Sequence, residues 1–81
     1  MNSDEIFAVV KKNIQDVLFN LKDEEIGIED SLKDLGANSI DRADIVTQSM
    51  SDLNIKIPLV ELAGVKNIAD LVELFRQKAV G

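Results

Sequence analysis

Residues 35–45 read LGANSIDRADI, and this stretch decides the fold because it marks where a loop ends and a helix begins. Asn38 is a favoured N-cap residue, since its side chain accepts a hydrogen bond from a backbone N–H at a helix start. Asp41, three residues later, can return a hydrogen bond to the Asn38 backbone in a capping box. The pattern predicts a helix over residues 39–53, with Ser39 as its first residue.

Apolar side chains on both sides of this stretch predict two further long helices, over residues 4–20 and 67–79, because they recur every three or four residues. Ser3 is the expected N-cap of the first helix. Asn67 is the expected N-cap of the last helix, and Asp70 follows it by three residues, as Asp41 follows Asn38. The residues that share one helix face are Ile6, Val9, Val10, Ile14, Val17, Leu18 and Leu21, then Ile45, Val46, Ser49, Met50 and Leu53, then Ile68, Leu71, Val72 and Phe75. The last four form the predicted buried stripe of the last helix.

The remaining segments read as connections. Residues 22–37 predict a long connection, which is often functional in a small domain, and its stretch Lys22–Asp34 is mostly charged. Its apolar residues, expected to hold it to the core, are Ile26, Ile28, Leu32 and Leu35. After an extended piece, Pro58 can begin a short helical turn, Leu59–Ala63, which Gly64 ends. The sequence therefore predicts a single domain over residues 1–81 with an all-α fold, an antiparallel bundle of three main helices plus one short helix.

The negative charge is confined to the middle of the chain. Residues 22–52 hold three basic and nine acidic side chains, which gives the whole net charge of −6, and the other residues sum to zero. This distribution argues against nucleic acid and anionic membranes as partners and favours basic protein surfaces. A plain solubilising surface is the alternative interpretation.

The composition excludes most kinds of active site. The chain has no His, Cys, Tyr or Trp, so it can build no Ser–His pair, Cys–His pair or thiolate zinc site. The acidic loop does not match the ligand spacing of a calcium loop, and no metal site is expected. An independent enzyme is not expected either. The acidic N-terminus does not resemble a signal peptide and no segment is typical of a membrane span, so we expect a cytoplasmic location. A monomer is the default expectation, and the sequence leaves the oligomeric state open.

Ser39 is the position with the most chemical interest. As the first residue of a helix it lies beside unpaired backbone N–H groups and the positive end of the helix dipole, where a phosphate ester is favoured. No internal base activates its hydroxyl, so it suits modification by another enzyme. On these grounds alone, a plain helix-start serine is the favoured interpretation.

The motif around Ser39 resembles the signature of the acyl carrier protein family. In that family a loop ends in Gly-Ala or Gly-Gly, then Asp, Ser, Leu and Asp, and the serine carries 4′-phosphopantetheine. Here Ser39 matches the serine, Ile40 the leucine and Asp41 the second acid, while Asn38 departs from the usual aspartate. The fit extends to the helix lengths, to Ile57-Pro58 and to residues 67–71. The departure at Asn38 leaves open which transferase and partners accept the protein.

A narrower resemblance covers residues 36–45 and 57–62, which look like the stand-alone carriers of polyketide β-branching cassettes. The resemblance implies an acetyl group, made from malonyl by an acyltransferase and a decarboxylating ketosynthase. It also implies delivery of that group to an enzyme similar to 3-hydroxy-3-methylglutaryl (HMG) synthase. Arg42 and the polar run at residues 47–49 depart from fatty-acid carriers. A fatty-acid carrier, a carrier for another polyketide step and a non-carrier helical adaptor remain the alternatives.

The resemblance also implies a partner-binding surface on the second and third helices. Ile40 is its best apolar candidate, and Asp41 and Asp44 would meet basic residues of partner enzymes, while Arg42 would discriminate between them. A solvated helix face is the alternative for these charges. The apolar residues Leu59, Val60 and Leu62 of the short helix are expected in the core, in the partner surface or in a shallow cargo groove. The predicted partner-binding residues are Asn38, Ile40, Asp41, Arg42, Asp44, Leu59 and Val60.

Overall fold

The computed structural model describes residues 2–79, in which four α-helices follow one another without a β-strand. The helices are α1, Ser3–Val17; α2, Ser39–Leu53; α3, Leu59–Leu62; and α4, Ile68–Lys78. A short 3-10 turn, Asp23–Glu25, lies in the connection between α1 and α2. None of the described helices is long and apolar enough to cross a membrane. The predicted all-α bundle of three main helices and one short helix is confirmed.

The helix ends follow the caps, with two corrections at α1. Asn2, not Ser3, is its N-cap, and the Asn2 side chain accepts a hydrogen bond from the Glu5 N–H. Asn and Ser cap helices about equally well, so packing of the whole helix chooses between neighbours. The predicted end at residue 20 is also wrong, because α1 ends at Val17 and Leu18 leaves helical geometry. The boundaries predicted for α2 are confirmed.

The core forms where α1 packs against both α2 and α4. All four apolar positions predicted for α4 are buried, and so are Ile45, Ser49 and Leu53 of α2. The extended piece between α2 and α3 adds Ile55 and Ile57. Half-buried side chains at the margin of this core are Val9, Val17, Leu18, Leu21, Val46 and Met50.

A buried polar contact joins α1 to α2. Asn13 is 2 % exposed and Ser49 is fully buried. The Asn13 side-chain amide donates to the Ser49 hydroxyl at 3.1 Å and to the Asp52 carboxylate at 3.0 Å. Because buried polar groups cost free energy unless they are hydrogen-bonded, these bonds fix how the two helices lie against each other.

The long connection is held at several points before it reaches α2. Ile26 is buried and Leu32 and Leu35 are half-buried, whereas Ile28 is 37 % exposed, so the prediction that Ile28 pins the connection is wrong. The backbone carbonyl of Asp30 accepts a hydrogen bond from the first residue of α4, at 2.9 Å. The connection is therefore tied to the end of the bundle that carries the start of α2.

A tight turn then delivers the chain to α2. Gly36 has φ +101°, a conformation that favours glycine, and the Ala37 N–H bonds the Leu32 carbonyl at 3.0 Å. Ala37 is 3 % exposed, so it anchors the residue immediately before Asn38 in the core.

Candidate functional site

The start of α2 is fixed by a complete capping box. The Asn38 side-chain oxygen accepts a hydrogen bond from the Asp41 N–H at 2.8 Å, and the Asp41 carboxylate accepts one from the Asn38 N–H at 3.3 Å. Asn38 itself is extended, with φ −80° and ψ −177°. The chain therefore turns sharply into the helix at Asn38, and Ser39 becomes its first residue, as predicted.

Ser39 is exposed at this helix start. The cap satisfies the Asp41 N–H, while helix geometry leaves the N–H groups of Ser39 and Ile40 without intrahelical acceptors. These groups and the positive end of the α2 dipole favour an anionic ester on the Ser39 oxygen. The site thus fits a phosphate group joined to Ser39, with the N–H groups of Ser39 and Ile40 as its donors.

Arg42 turns back towards the loop. Its guanidinium donates to the Ala37 carbonyl at 3.4 Å, and the residue is half-buried. The predicted role of Arg42 in partner choice stays a prediction. Its observed contact ties α2 to the turn that precedes Ser39.

Several residues of the predicted partner surface are exposed to solvent. Ile40 is 73 % exposed and Val60 is 80 % exposed, so two apolar side chains are presented to solvent. Asp44 is exposed, whereas the Asp41 carboxylate is committed to the cap. The role predicted for Leu59 falls on a side chain outside the described part of the structure. Partner binding by all of these residues, including Asn38, stays a prediction.

A cavity of about 530 Å³ opens one helical turn after Ser39. The loop, α2, the residues around α3 and the beginning of α4 line it, and it is open to solvent on one side. Arg42 and Ala43, three and four residues after Ser39, lie at its wall, and Leu62 lines it from α3. The apolar residues of α3 were expected in the core, in the partner surface or in a cargo groove. Leu62 packs against the core and also lines this cavity.

The charged groups elsewhere on the bundle are mainly surface pairs. A hydrogen bond from Arg76 lowers the pKa of the Glu73 carboxyl, and the same contact raises the pKa of Arg76. Both lie on α4 and are exposed, so the pair adds little to stability. Within residues 2–79 no group of three His, Cys, Asp or Glu side chains is placed to hold a metal ion.

Comparison with known proteins assigns the chain to a protein family. Residues 8–75 match the phosphopantetheine attachment site family. The chain belongs to this family of acyl carrier proteins. It is a carrier rather than an enzyme, and 4′-phosphopantetheine, attached by a phosphopantetheinyl transferase, is its covalent cofactor. The group supplies the thiol that this cysteine-free chain lacks.

Two relatives match over nearly their whole lengths. The carrier is 46% identical over 78 residues to the polyketide biosynthesis acyl-carrier-protein AcpK of Bacillus subtilis (strain 168). This match covers 96% of this chain and 95% of AcpK. It also resembles a chain in the crystal structure of the curacin biosynthetic pathway HMG synthase in complex with an acetyl donor acyl carrier protein. That match has a TM-score of 0.87 and 40% identity, and it covers 96% of this chain and 100% of that chain.

The sequence interpretation missed two structural contacts, one made by Asn13 and one made by Arg42. Asn13 lies at the apolar spacing of α1, one residue before Ile14, and a polar residue in such a stripe was the available signal. The contact between Arg42 and Ala37 had no signal in spacing, because the side chain of a surface arginine can take many rotamers. Both contacts act on α2, the helix that presents Ser39.

We predict that Asn38→Ala lowers the free energy of unfolding by about 1 kcal/mol, the usual effect of losing an N-cap. Asn67 caps α4 with the equivalent side-chain hydrogen bond, accepting from the Asp70 N–H at 2.8 Å, so Asn67→Ala is a control for the loss of that bond. Urea denaturation should show similar losses in both variants. Asn38→Ala alone should also slow arm attachment, measured by mass spectrometry. Equal attachment rates in the two variants would show that the Asn38 cap does not orient Ser39.

Proposed function

We propose that this carrier holds an acyl group as a thioester on a 4′-phosphopantetheine arm at Ser39. The cargo is acetyl, made from malonyl, and the carrier delivers it to an HMG-synthase-like enzyme in polyketide β-branching. The observation that supports this function best is the whole-length match to a chain of the HMG synthase complex with its acetyl donor. The match to AcpK supports the polyketide setting.

The chain's own residues contribute position and charge. In the attachment step the Ser39 oxygen attacks the β-phosphate of coenzyme A. The new bond joins this oxygen to phosphorus, the pyrophosphate bond breaks, and adenosine 3′,5′-bisphosphate leaves. The chain has no histidine or cysteine, so the transferase must take the hydroxyl proton. The capping box holds Ser39 at the exposed helix start during this step.

Presentation of the cargo follows from the same geometry. Ile40 lies next to Ser39 and is exposed, and the acidic stretch at residues 22–52 favours approach to basic enzyme surfaces. A tether raises the local concentration of the cargo at each enzyme without tight binding. The other proposed partners are an acyltransferase and a decarboxylating ketosynthase. Action in the cytoplasm and as a monomer stays a prediction.

Acetyl transfer to an HMG-synthase-like enzyme of a β-branching cassette tests this function. The acetyl-loaded carrier should transfer far faster than an acetyl-loaded fatty-acid carrier, and a fatty-acid ketosynthase should elongate chains on it poorly. Equal transfer rates, or efficient elongation by the ketosynthase, would favour the fatty-acid alternative. Partner binding that does not depend on Ser39 would favour the adaptor.

We predict that Ile40→Asp lowers kcat/KM for acetyl transfer about ten-fold, because it puts a charge into an apolar contact beside the arm. Phe19→Asp is the matched control, since Phe19 is 87 % exposed and follows α1 rather than lying on α2. Attachment of the arm, read by mass spectrometry, should occur in both variants. Unchanged transfer by Ile40→Asp would remove Ile40 from the partner surface.

A further inference from the structure

The cavity beside α2 has an apolar wall. Its apolar side chains come from the loop, from α2, from α3 and the residues after it, and from α4. The larger ones are Leu32, Val46, Met50, Leu62, Val65 and Leu71. Such a wall suits the short hydrocarbon part of an acyl group, because burial of apolar surface is favourable.

The charges on the cavity are of one sign. Lys33, Arg42 and Lys66 line it, and among the described residues no aspartate or glutamate does. This is unexpected on composition, because the chain has 15 acidic and 9 basic residues. The cavity is therefore a positive site on a negative protein.

The side chains of these three residues also form no ion pair among the described residues. Within residues 2–79, none of their side-chain nitrogens has a carboxylate oxygen within 4.0 Å, whereas Lys11, Lys12, Arg76 and Lys78 each form an ion pair. The Asp70 carboxylate accepts a hydrogen bond from the backbone N–H of Lys66, at 3.1 Å, and not from its side chain. A cation without a protein partner next to an apolar wall attracts an anion more strongly than a paired one does.

Ser39 is within reach of this cavity. Arg42 and Ala43 are one helical turn further along α2, a rise of about 5.4 Å. Arg42 lines the cavity, and its guanidinium donates a hydrogen bond to the carbonyl of Ala37, two residues before Ser39. A long flexible arm on Ser39 spans that turn.

Resting on the function proposed above, we propose that the cavity binds the free carboxylate of a short dicarboxylic acyl group, of malonyl type, at Lys33, Arg42 and Lys66. The acyl methylene packs on Val46 and Leu62. Decarboxylation on a partner enzyme breaks the bond from the methylene to the carboxylate, releases CO₂ and takes up one proton. The neutral acetyl group that results loses the ionic attraction and leaves the cavity for the next enzyme.

Three loaded forms of the carrier test this proposal. A transferase of broad specificity loads the arm from malonyl, acetoacetyl or free coenzyme A, and mass spectrometry confirms each product. Acetoacetyl has nearly the shape of malonyl but no charge. At pH 7 and low salt, nuclear Overhauser contacts from the acyl methylene to the methyl groups of Val46 and Leu62 should appear with malonyl. They should be about five-fold weaker with acetoacetyl, the loss expected for one surface charge interaction.

Variants that each remove one positive charge distinguish an effect of the cavity cations from an effect of the protein's overall charge. Lys66→Gln and Arg42→Gln should weaken the malonyl contacts, while Lys56→Gln, at an exposed lysine outside the cavity lining, should not. Salt at high concentration should weaken them as well.

Three results would overturn the proposal. The first is nuclear Overhauser contacts of equal strength for malonyl and acetoacetyl, and the second is malonyl contacts that Lys66→Gln does not weaken. The third is a chemical shift of the Lys66 amide that is the same with the bare arm as with the malonyl-loaded arm. The last result would mean that the cations bind the phosphate of the arm. A chain that takes up no arm at all would overturn the proposed function, and the mass spectrum shows this before any contact is measured.

Discussion

Replacing Ser39 with alanine is expected to abolish attachment of 4′-phosphopantetheine. In the proposed function the attachment bond forms to the Ser39 oxygen. Ser39 is exposed at the first residue of α2, where the capping box of Asn38 and Asp41 fixes the helix start. Incubation with a phosphopantetheinyl transferase and coenzyme A should add one phosphopantetheine mass to the unaltered chain and none to Ser39→Ala. Intact-protein mass spectrometry measures both.

Ser51→Ala is the control for this experiment. Ser51 is an exposed serine on the same helix, but it lies in the last turn, where the dipole disfavours an anion. The Ser51→Ala variant should gain the mass of one 4′-phosphopantetheine, as the unaltered chain does. Addition to Ser39→Ala, or a second addition to the unaltered chain, would place the arm on another residue. Far-ultraviolet circular dichroism should show that all three proteins keep their helices.

Phe75→Ala is expected to cost about 3–5 kcal/mol of the free energy of unfolding. Phe75 is fully buried on α4, among the side chains that join this helix to α1. A domain of this size has about 4–12 kcal/mol in total, so the variant loses a large fraction of its stability. Urea denaturation followed by circular dichroism should show a much lower midpoint.

Phe19→Ala makes the same chemical change at the surface. Phe19 is 87 % exposed, so its removal leaves no cavity and should change stability by less than about 0.5 kcal/mol. Similar losses in the two variants would contradict the burial of Phe75 as the source of the effect. A loss of about 1 kcal/mol or less at Phe75 would mean that the core closes over the missing ring.

Helix positions were predictable wherever a cap and a periodic stripe agreed. Asn38 with Asp41 and Asn67 with Asp70 located the starts of α2 and α4, because such caps act within four residues of chain. The start of α1 was missed by one residue, since Asn2 and Ser3 are both good caps. Local sequence does not choose between two neighbours of equal propensity.

Burial was less predictable in the long connection. Ile26 and Ile28 are both apolar and only two residues apart, yet Ile26 is buried and Ile28 is 37 % exposed. The connection has no period that would mark an inner face, so its path decides which side chain meets the core. Asn13 shows the reverse case, a polar residue buried because Ser49 and Asp52 of α2 supply its partners.

By itself, the sequence determined the helix start at Ser39, the acidic middle of the chain and the lack of any thiol or imidazole, because these depend on residue type and local spacing. Only the tertiary structure decided which charges meet. Lys33, Arg42 and Lys66 belong to three segments separated along the chain. The packing of the loop and helices brings them to one cavity, and no acidic residue lines it among the described residues. The net charge of the chain does not reveal this grouping of cations, because the attraction between charges depends on distances that are set by folding.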